Sequence, residues 1–389
     1  MYSSCKEDEQ PGYNQAINPI WKFSYKVGYS GSIIPIIYDN MVLYSSLKET
    51  SPNGSANDKL IALDKTKGKL IWEWSDLLRD SYEHFDEDSN PLLGNILAMS
   101  TGSRNYAIDL STGQTVWRNQ TTPSVGNMSK HNNQVYRIDI YGPEDNGIYS
   151  EQIMEADIST GNWQKVFEVT GGDSLRQGLT VPTFYTNKEG DEEMIIGNTT
   201  IVENSPSKQR PDKGYITPYL INYNKTKAVV NYIVQLSEPS LYAAIDWFPI
   251  VDNNKVYLLV DKLIVCHDLG TGNRIWERRF DGNFLFSGAL LDNGRIYANR
   301  DGSDPTLYCI DAETGSIIWE TPSAGTSSPL QLHKGVLYFV GGSDGLFHCV
   351  NAATGEFIYS IKAPSQYKDH NDFFSTICTV DHDTDKVYV

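Results

Sequence analysis

Cys309-Ile310-Asp311-Ala312-Glu313-Thr314-Gly315 leads, four residues past its glycine, to Trp319, and the same phrase returns along the chain. Ala107-Ile108-Asp109-Leu110-Ser111-Thr112-Gly113 leads to Trp117, and Cys266-His267-Asp268-Leu269-Gly270-Thr271-Gly272 leads to Trp276. Looser copies run from Ala62 through Gly68 to Trp72, from Cys349 through Gly355 to Tyr359, and from Asn222 through Ala228 to Tyr232. A slipped copy sits at Asp157-Ile158-Ser159-Thr160-Gly161. A period of about 40–45 residues marks a repeat architecture.

The surroundings of the phrase say what repeats. Gly335-Val336-Leu337-Tyr338-Phe339-Val340, a turn, and Leu346-Phe347-His348-Cys349-Val350 read as strand, tight turn, strand. Asp-x-x-Thr-Gly is the next turn, because Asp can accept backbone N–H groups ahead of it and Gly takes the φ > 0 position. The aromatic then falls on the following strand. With a preceding strand such as Pro329-Leu330-Gln331-Leu332, each unit holds four strands. Four-stranded antiparallel units at this period are the blades of a β-propeller. One blade cannot cover both of its faces, so neighbours must stack.

Ala-x-Asp-x-x-Thr-Gly-x-x-x-Trp resembles the tryptophan-docking repeat of quinoprotein-type, PQQ-like propellers. The resemblance runs from about residue 20 to residue 389. It implies that Trp21, Trp72, Trp117, Trp276 and Trp319 stack on the backbone of a neighbouring blade. Gly68, Gly113, Gly272, Gly315 and Gly355 are the matching turn glycines. The family holds quinone-cofactor dehydrogenases and also the BamB-like lipoprotein scaffolds, which are not enzymes. The resemblance therefore implies a fold and leaves the function open.

The two ends set the expected blade number. Ser375-Thr376-Ile377-Cys378-Thr379-Val380 and Lys386-Val387-Tyr388-Val389 read as two strands beyond the seventh phrase. Ile20-Trp21-Lys22-Phe23-Ser24-Tyr25 reads as a Trp-bearing fourth strand with no phrase before it. Joined, they predict an all-β, eight-bladed propeller of four-stranded antiparallel blades, its ring closed by N- and C-terminal strands. Residues 20–389 would form this single domain, and residues 1–19 a lipoprotein tether or disordered linker.

The 389 residues carry 24 Tyr, 8 Trp and a formal charge of −17, with no basic stripe to neutralise phosphates. Nucleic acid is thereby excluded as a partner. No run of about 20 apolar residues offers a transmembrane helix. Cys266, Cys309 and Cys349 share one repeat position with Ala62 and Ala107 and read as small core fillers. Equivalent positions on adjacent blades stand about 10 Å apart, beyond disulfide reach. Cys378 also reads as core. Cys5 differs: Tyr2-Ser3-Ser4-Cys5-Lys6-Glu7-Asp8-Glu9 resembles a bacterial lipoprotein cleavage site followed by the acidic surface-export signal of Bacteroidota lipoproteins. The expected attachment is a lipid on Cys5, in the outer membrane or at the cell surface, although only four residues precede it.

Apparent catalytic strings dissolve in context. Gly341-Gly342-Ser343-Asp344-Gly345 fits G-x-S-x-G, but that elbow needs a strand-to-helix turn, and this one joins two strands. Asp381-His382-Asp383-Thr384-Asp385 hints at a calcium loop, yet Lys386 stands where the loop needs Gly. The acidic runs 86–88 and 189–193 read as solvated loops. The seven histidines show no metal-ligand spacing. No adjacent cysteine pair supports a quinone site. No cofactor, metal or catalytic residue is assigned.

Long connections are the positional clue. Residues 46–58, 142–150 and 199–215 join second to third strands; residues 75–92, 170–181 and 363–374 join blade to blade. In an up-and-down blade both kinds emerge on one face, where binding is expected. The fourth unit is irregular, with Ala228 for Gly, and the third carries Glu155 at the small-residue position. The function expected is a lipid-anchored, non-catalytic envelope scaffold binding a protein or glycan at the loop-rich face. The alternatives are a quinone (PQQ)-dependent dehydrogenase and a surface carbohydrate-binding protein.

Overall fold

Second and third strands are the buried ones in each blade, and their composition explains why. In the fifth repeat, Lys255–Val260 and Leu263–Asp268 are apolar on both faces and covered almost throughout. A strand sandwiched between two neighbouring sheets must be apolar on both sides, whereas one open to water on one side alternates. The fourth strand, Arg274–Arg279, does alternate between exposed and half-buried positions. It is therefore the outer edge of its blade.

The structure is a computed structural model. It describes residues 19–21, 23, 34–47, 58–76, 90–100, 104–120, 124–142, 149–171, 175–202, 215–241, 243–245, 248–284, 288–325, 329–362 and 378–389. Seven antiparallel sheets follow one another: residues 36–74, 92–120, 124–170, 175–235, 250–279, 289–322 and 331–361. Six have four strands in sequence order. The fourth blade splits its first strand into Leu175–Leu179 and Thr183–Thr186, both paired with Glu192–Val202. Apolar clusters join each sheet to the next, so the core is a ring of interfaces between blades.

The blade number departs from the expectation of eight. The described residues form a seven-bladed propeller. Thr379–Asp381 and Lys386–Tyr388 make a two-stranded hairpin that pairs only with itself. Residues 19–21 and 23 lie in no strand. The error lay in reading Trp21 as a ladder member: its indole packs against Tyr388, ring centroids 6.0 Å apart, while its backbone joins no sheet. The hairpin sits between the seventh and first blades. Val387 and Val389 pack against the cluster of Val340, Phe347, Cys349 and Cys378, while Tyr388 clusters with Val42, Ile61 and Leu63.

Six of the outer strands share one irregularity. Opposite the small residue stands the aromatic, as in Ala107 to Trp117 and Cys309 to Trp319, and the ladder then skips one residue. The skipped residues are Ile71, Val116, Asn231, Ile275, Ile318 and Ile358. This bulge bends the strand and re-aims the adjacent aromatic; it also blunts an edge that could pair with another chain. In the third blade the bulge is displaced to Val166, which puts Phe167 rather than a Trp beside it.

Candidate functional site

The Thr-Gly turns are built as corners. Asp311 Oδ1 accepts the N–H and the hydroxyl of Thr314, both at 2.8 Å, and the Gly315 N–H closes on the Asp311 carbonyl at 2.8 Å. The Thr314 hydroxyl beside it holds the Asp311 carboxyl below the usual carboxylate range. Hydroxyls of Thr66, Ser111, Ser159 and Thr271 do the same, first among several donors, for Asp64, Asp109, Asp157 and Asp268. The glycine that ends each corner has φ between 63° and 77°, the left-handed region.

Onto each such glycine the preceding unit lays an aromatic ring. Trp21 covers Gly68, Trp72 covers Gly113, Trp117 covers Gly161, Tyr232 covers Gly272, Trp276 covers Gly315 and Trp319 covers Gly355. A methyl group on any of these glycines would stand 2.5–2.8 Å from the ring, inside van der Waals contact. Each ring also donates to a backbone carbonyl of the corner: Trp72 Nε1 to Leu110 O, Trp276 Nε1 to Ala312 O and Trp319 Nε1 to Ala352 O, all at 3.1 Å. Trp21 Nε1 reaches Lys65 O at 3.1 Å, Trp117 Nε1 reaches Ile158 O at 2.6 Å, and the Tyr232 hydroxyl reaches Leu269 O at 2.9 Å. The docked indoles are half-buried, one face on the corner and one edge toward solvent. Sequence reasoning missed Trp74, which is buried, donates to Thr115 Oγ1 at 2.8 Å and meets Tyr106 edge-on.

The junction between the third and fourth blades is made differently. Its corner residue is Ala228, exposed and held at φ 55°. Trp163 turns back instead, under the Arg137 guanidinium at 4.1 Å and edge-on to Trp117. Charge spans the gap. Lys225 Nζ lies 2.7 Å from Glu155, 2.9 Å from Glu192 and 3.0 Å from the Tyr136 hydroxyl. His131 Nε2 adds a contact to Glu192 at 2.9 Å. Burial raises Glu155 and Glu192, but hydrogen bonds, chiefly from Lys225, outweigh it, and both end below their ordinary range. Glu151, nearly covered, accepts the Leu179 N–H at 2.6 Å, and burial lifts its carboxyl to about 7. Glu155 was legible as an oddity; its partner lies far along the chain, and nothing local announces it.

The two rims of the ring differ. First-to-second and third-to-fourth connections are short, as between Asp252 and Lys255 or Asp311 and Ile317, with 187–191 the longest of the first-to-second turns. Leu47 to Asp58, Tyr141 to Ser150 and Val202 to Tyr215 are the long second-to-third connections, and they share a rim with the blade-to-blade links. On that rim, between the fourth and fifth blades, a groove of about 620 Å³ opens. Gln235, Glu238, Asp261, Arg274, Glu277 and Arg279 contribute both signs of charge to it.

Cys266, Cys309, Cys349 and Cys378 are buried free thiols, and burial raises all four, to about 11 for the first two and about 12 for the others. Cys5 lies outside the described residues. Among those described, no three His, Cys, Asp or Glu side chains converge on a metal position. No described helix is long and apolar enough to cross a membrane.

Solved structures of similar fold include a europium-containing methanol dehydrogenase, 12% identical, with 94% of this chain and 83% of that one covered at a TM-score of 0.61. A computationally designed protein, Ika8, is 13% identical over 90% and 91% of the two chains, with a TM-score of 0.57. At such identities the likeness concerns fold alone. A search of curated proteins finds no match. The corner-and-ring repeat breaks at the junction of the third and fourth blades, where the third blade aims no Trp forward and the fourth has Ala228 in place of the corner glycine. A family model described as outer membrane protein assembly factor BamB matches residues 18–183 and 260–389, leaving out most of the fourth blade and the start of the fifth, and the chain belongs to that family.

Proposed function

We propose that this chain is a non-catalytic binding scaffold of the cell envelope, engaging partner proteins through the rim that carries its long connections. Residues 20–389 serve as one rigid domain, residues 1–19 as its tether, and a lipid on Cys5 holds it at the outer membrane. The observation that carries the reading is the asymmetry of the two rims. One is trimmed to hydrogen-bonded turns, while the other gathers the long connections and the mixed-charge groove beside Glu238 and Arg279. Loops on a rigid frame are where binding residues concentrate. Membership in a family described as an outer membrane assembly factor supports a protein as the partner.

A photo-crosslinking residue at Glu238, in cells expressing the gene with its native leader, should trap an envelope protein. The same residue at Thr112, exposed on the trimmed rim, should not. Equal trapping from both, or trapping from Thr112 alone, defeats the proposal. Cys5→Ala should move the chain from the membrane fraction to the soluble one; unchanged retention defeats the anchor.

A further inference from the structure

The contact between the seventh blade and the terminal hairpin has an unusual chemistry. His333 Nδ1 and His382 Nδ1 face each other at 2.9 Å across the seam. The rings stand at 68°, centroids 4.8 Å apart, so the two nitrogens converge in place of stacking. On its far side His333 Nε2 lies 2.7 Å from Asp385 Oδ1. A carboxylate only accepts, so Nε2 must carry the hydrogen. With a single hydrogen on that ring, Nδ1 is a bare lone pair toward His382. Asp385 is itself fixed by Lys334 Nζ at 2.5 Å, and the hydroxyl of Thr384, next to it, is bonded to Asp381.

We propose that His333 and His382 form a two-imidazole site for a borderline-soft divalent cation, with zinc, nickel or copper(II) as its chemical class. Imidazole nitrogen is the shared preference of these ions. Two nitrogens on one tetrahedral zinc, with bonds of roughly 2.0 Å, stand about 3.3 Å apart. The observed pair needs only a slight opening to admit the ion in place of the shared proton. Asp385 supplies the carboxylate that commonly orients a metal-bound histidine from behind and raises its basicity. Water would complete the coordination, because His382 is exposed. The acidic chain, with a formal charge of −17, favours a cation. The site joins the turn at 333–335 to the turn at 382–385, so the ion would clasp the hairpin to the seventh blade.

The test is isothermal titration of the tag-free full chain with zinc chloride and nickel chloride, with magnesium chloride as the control. One zinc ion per chain should bind, and His333→Ala or His382→Ala should each weaken it at least ten-fold. Asp385→Asn should weaken it by roughly ten-fold while keeping both ligands. His382→Gln, at an exposed position, guards against misfolding and should lose binding with the melting curve of the metal-free protein unchanged. Zinc binding that survives either histidine substitution overturns the proposal. So does a wild-type chain that binds zinc no better than magnesium, which would leave the pair as a shared-proton contact only.

Discussion

Six ring-on-glycine docks and one charged seam hold successive units of this propeller together, and they obey different physics. A docked indole covers a glycine and donates one hydrogen bond, so its strength depends on shape and hardly on pH or salt. The seam between the third and fourth blades depends on Lys225, Glu155, Glu192 and Glu151, and so on protonation state and position. The comparison teaches that one repeat can hand over its partner by two means. The second means arises where the bulge has slipped and no aromatic is aimed forward.

The largest expected effect falls on a dock. Gly315→Ala places a methyl 2.7 Å from the Trp276 ring at a φ of 69°. Left-handed strain and overpacking together should cost about 3–4 kcal/mol. In a Trp276→Ala background the clash is gone, and the same change should cost only about 1 kcal/mol. Denaturant melts of the four proteins check this; additive losses would show that ring and glycine are not one unit.

Next comes the seam. Lys225→Met strips the half-covered Glu155 and Glu192 of their shared ammonium, leaving Gln164 on the one and His131 on the other, and should cost about 3 kcal/mol. The carboxylates, held below their ordinary range, contribute stability that is present above the unfolded value near 4.5 and lost as pH falls through their folded values. The wild type should therefore lose stability below about pH 4.5 more steeply than Lys225→Met. Matching acid limbs would break the distinction between seam and dock.

Glu151 works in the opposite direction. Its folded value near 7 lies above the unfolded one of 4.5, so the folded state holds the extra proton between them. Stability from this group is full below pH 4.5 and is lost as pH rises toward 7. Glu151→Gln keeps an acceptor for the Leu179 N–H without the charge, and should gain about 2 kcal/mol at pH 8 and little at pH 4.5. Melting curves at the two pH values decide it. The smallest effect is Ala228→Gly, which relieves a left-handed φ and should gain at most about 1 kcal/mol. A loss would mean that the Ala228 methyl packs productively in the seam.

The contrast also marks what a reader of the chain could see. Alternating strands, Thr-Gly corners and small residues opposite aromatics are local, and each signals itself within a dozen residues. The lost glycine at Ala228 and the odd Glu155 were visible as gaps. What filled them was not, because Lys225 stands 70 positions beyond Glu155 and meets it only when two sheets stack. Blade number failed for a related reason. Trp21 carries the docking chemistry of a fourth strand without the backbone of one, and side-chain pattern alone cannot separate the two. His333 and His382 lie 49 residues apart on ordinary turns, and only the hairpin's placement brings them together.

The docks have a spectroscopic consequence. Five of the eight tryptophans sit in one chemical setting, each indole flat on a glycine with its N–H on a carbonyl. Their emission will shift together when docked units part. Among the described residues no indole is laid across the seam between the third and fourth blades, and Trp163 beside it is already covered by a guanidinium. Opening at the seam is thus nearly dark in tryptophan fluorescence, and a thermal scan followed by that signal alone would report a single transition even if the ring first parted there.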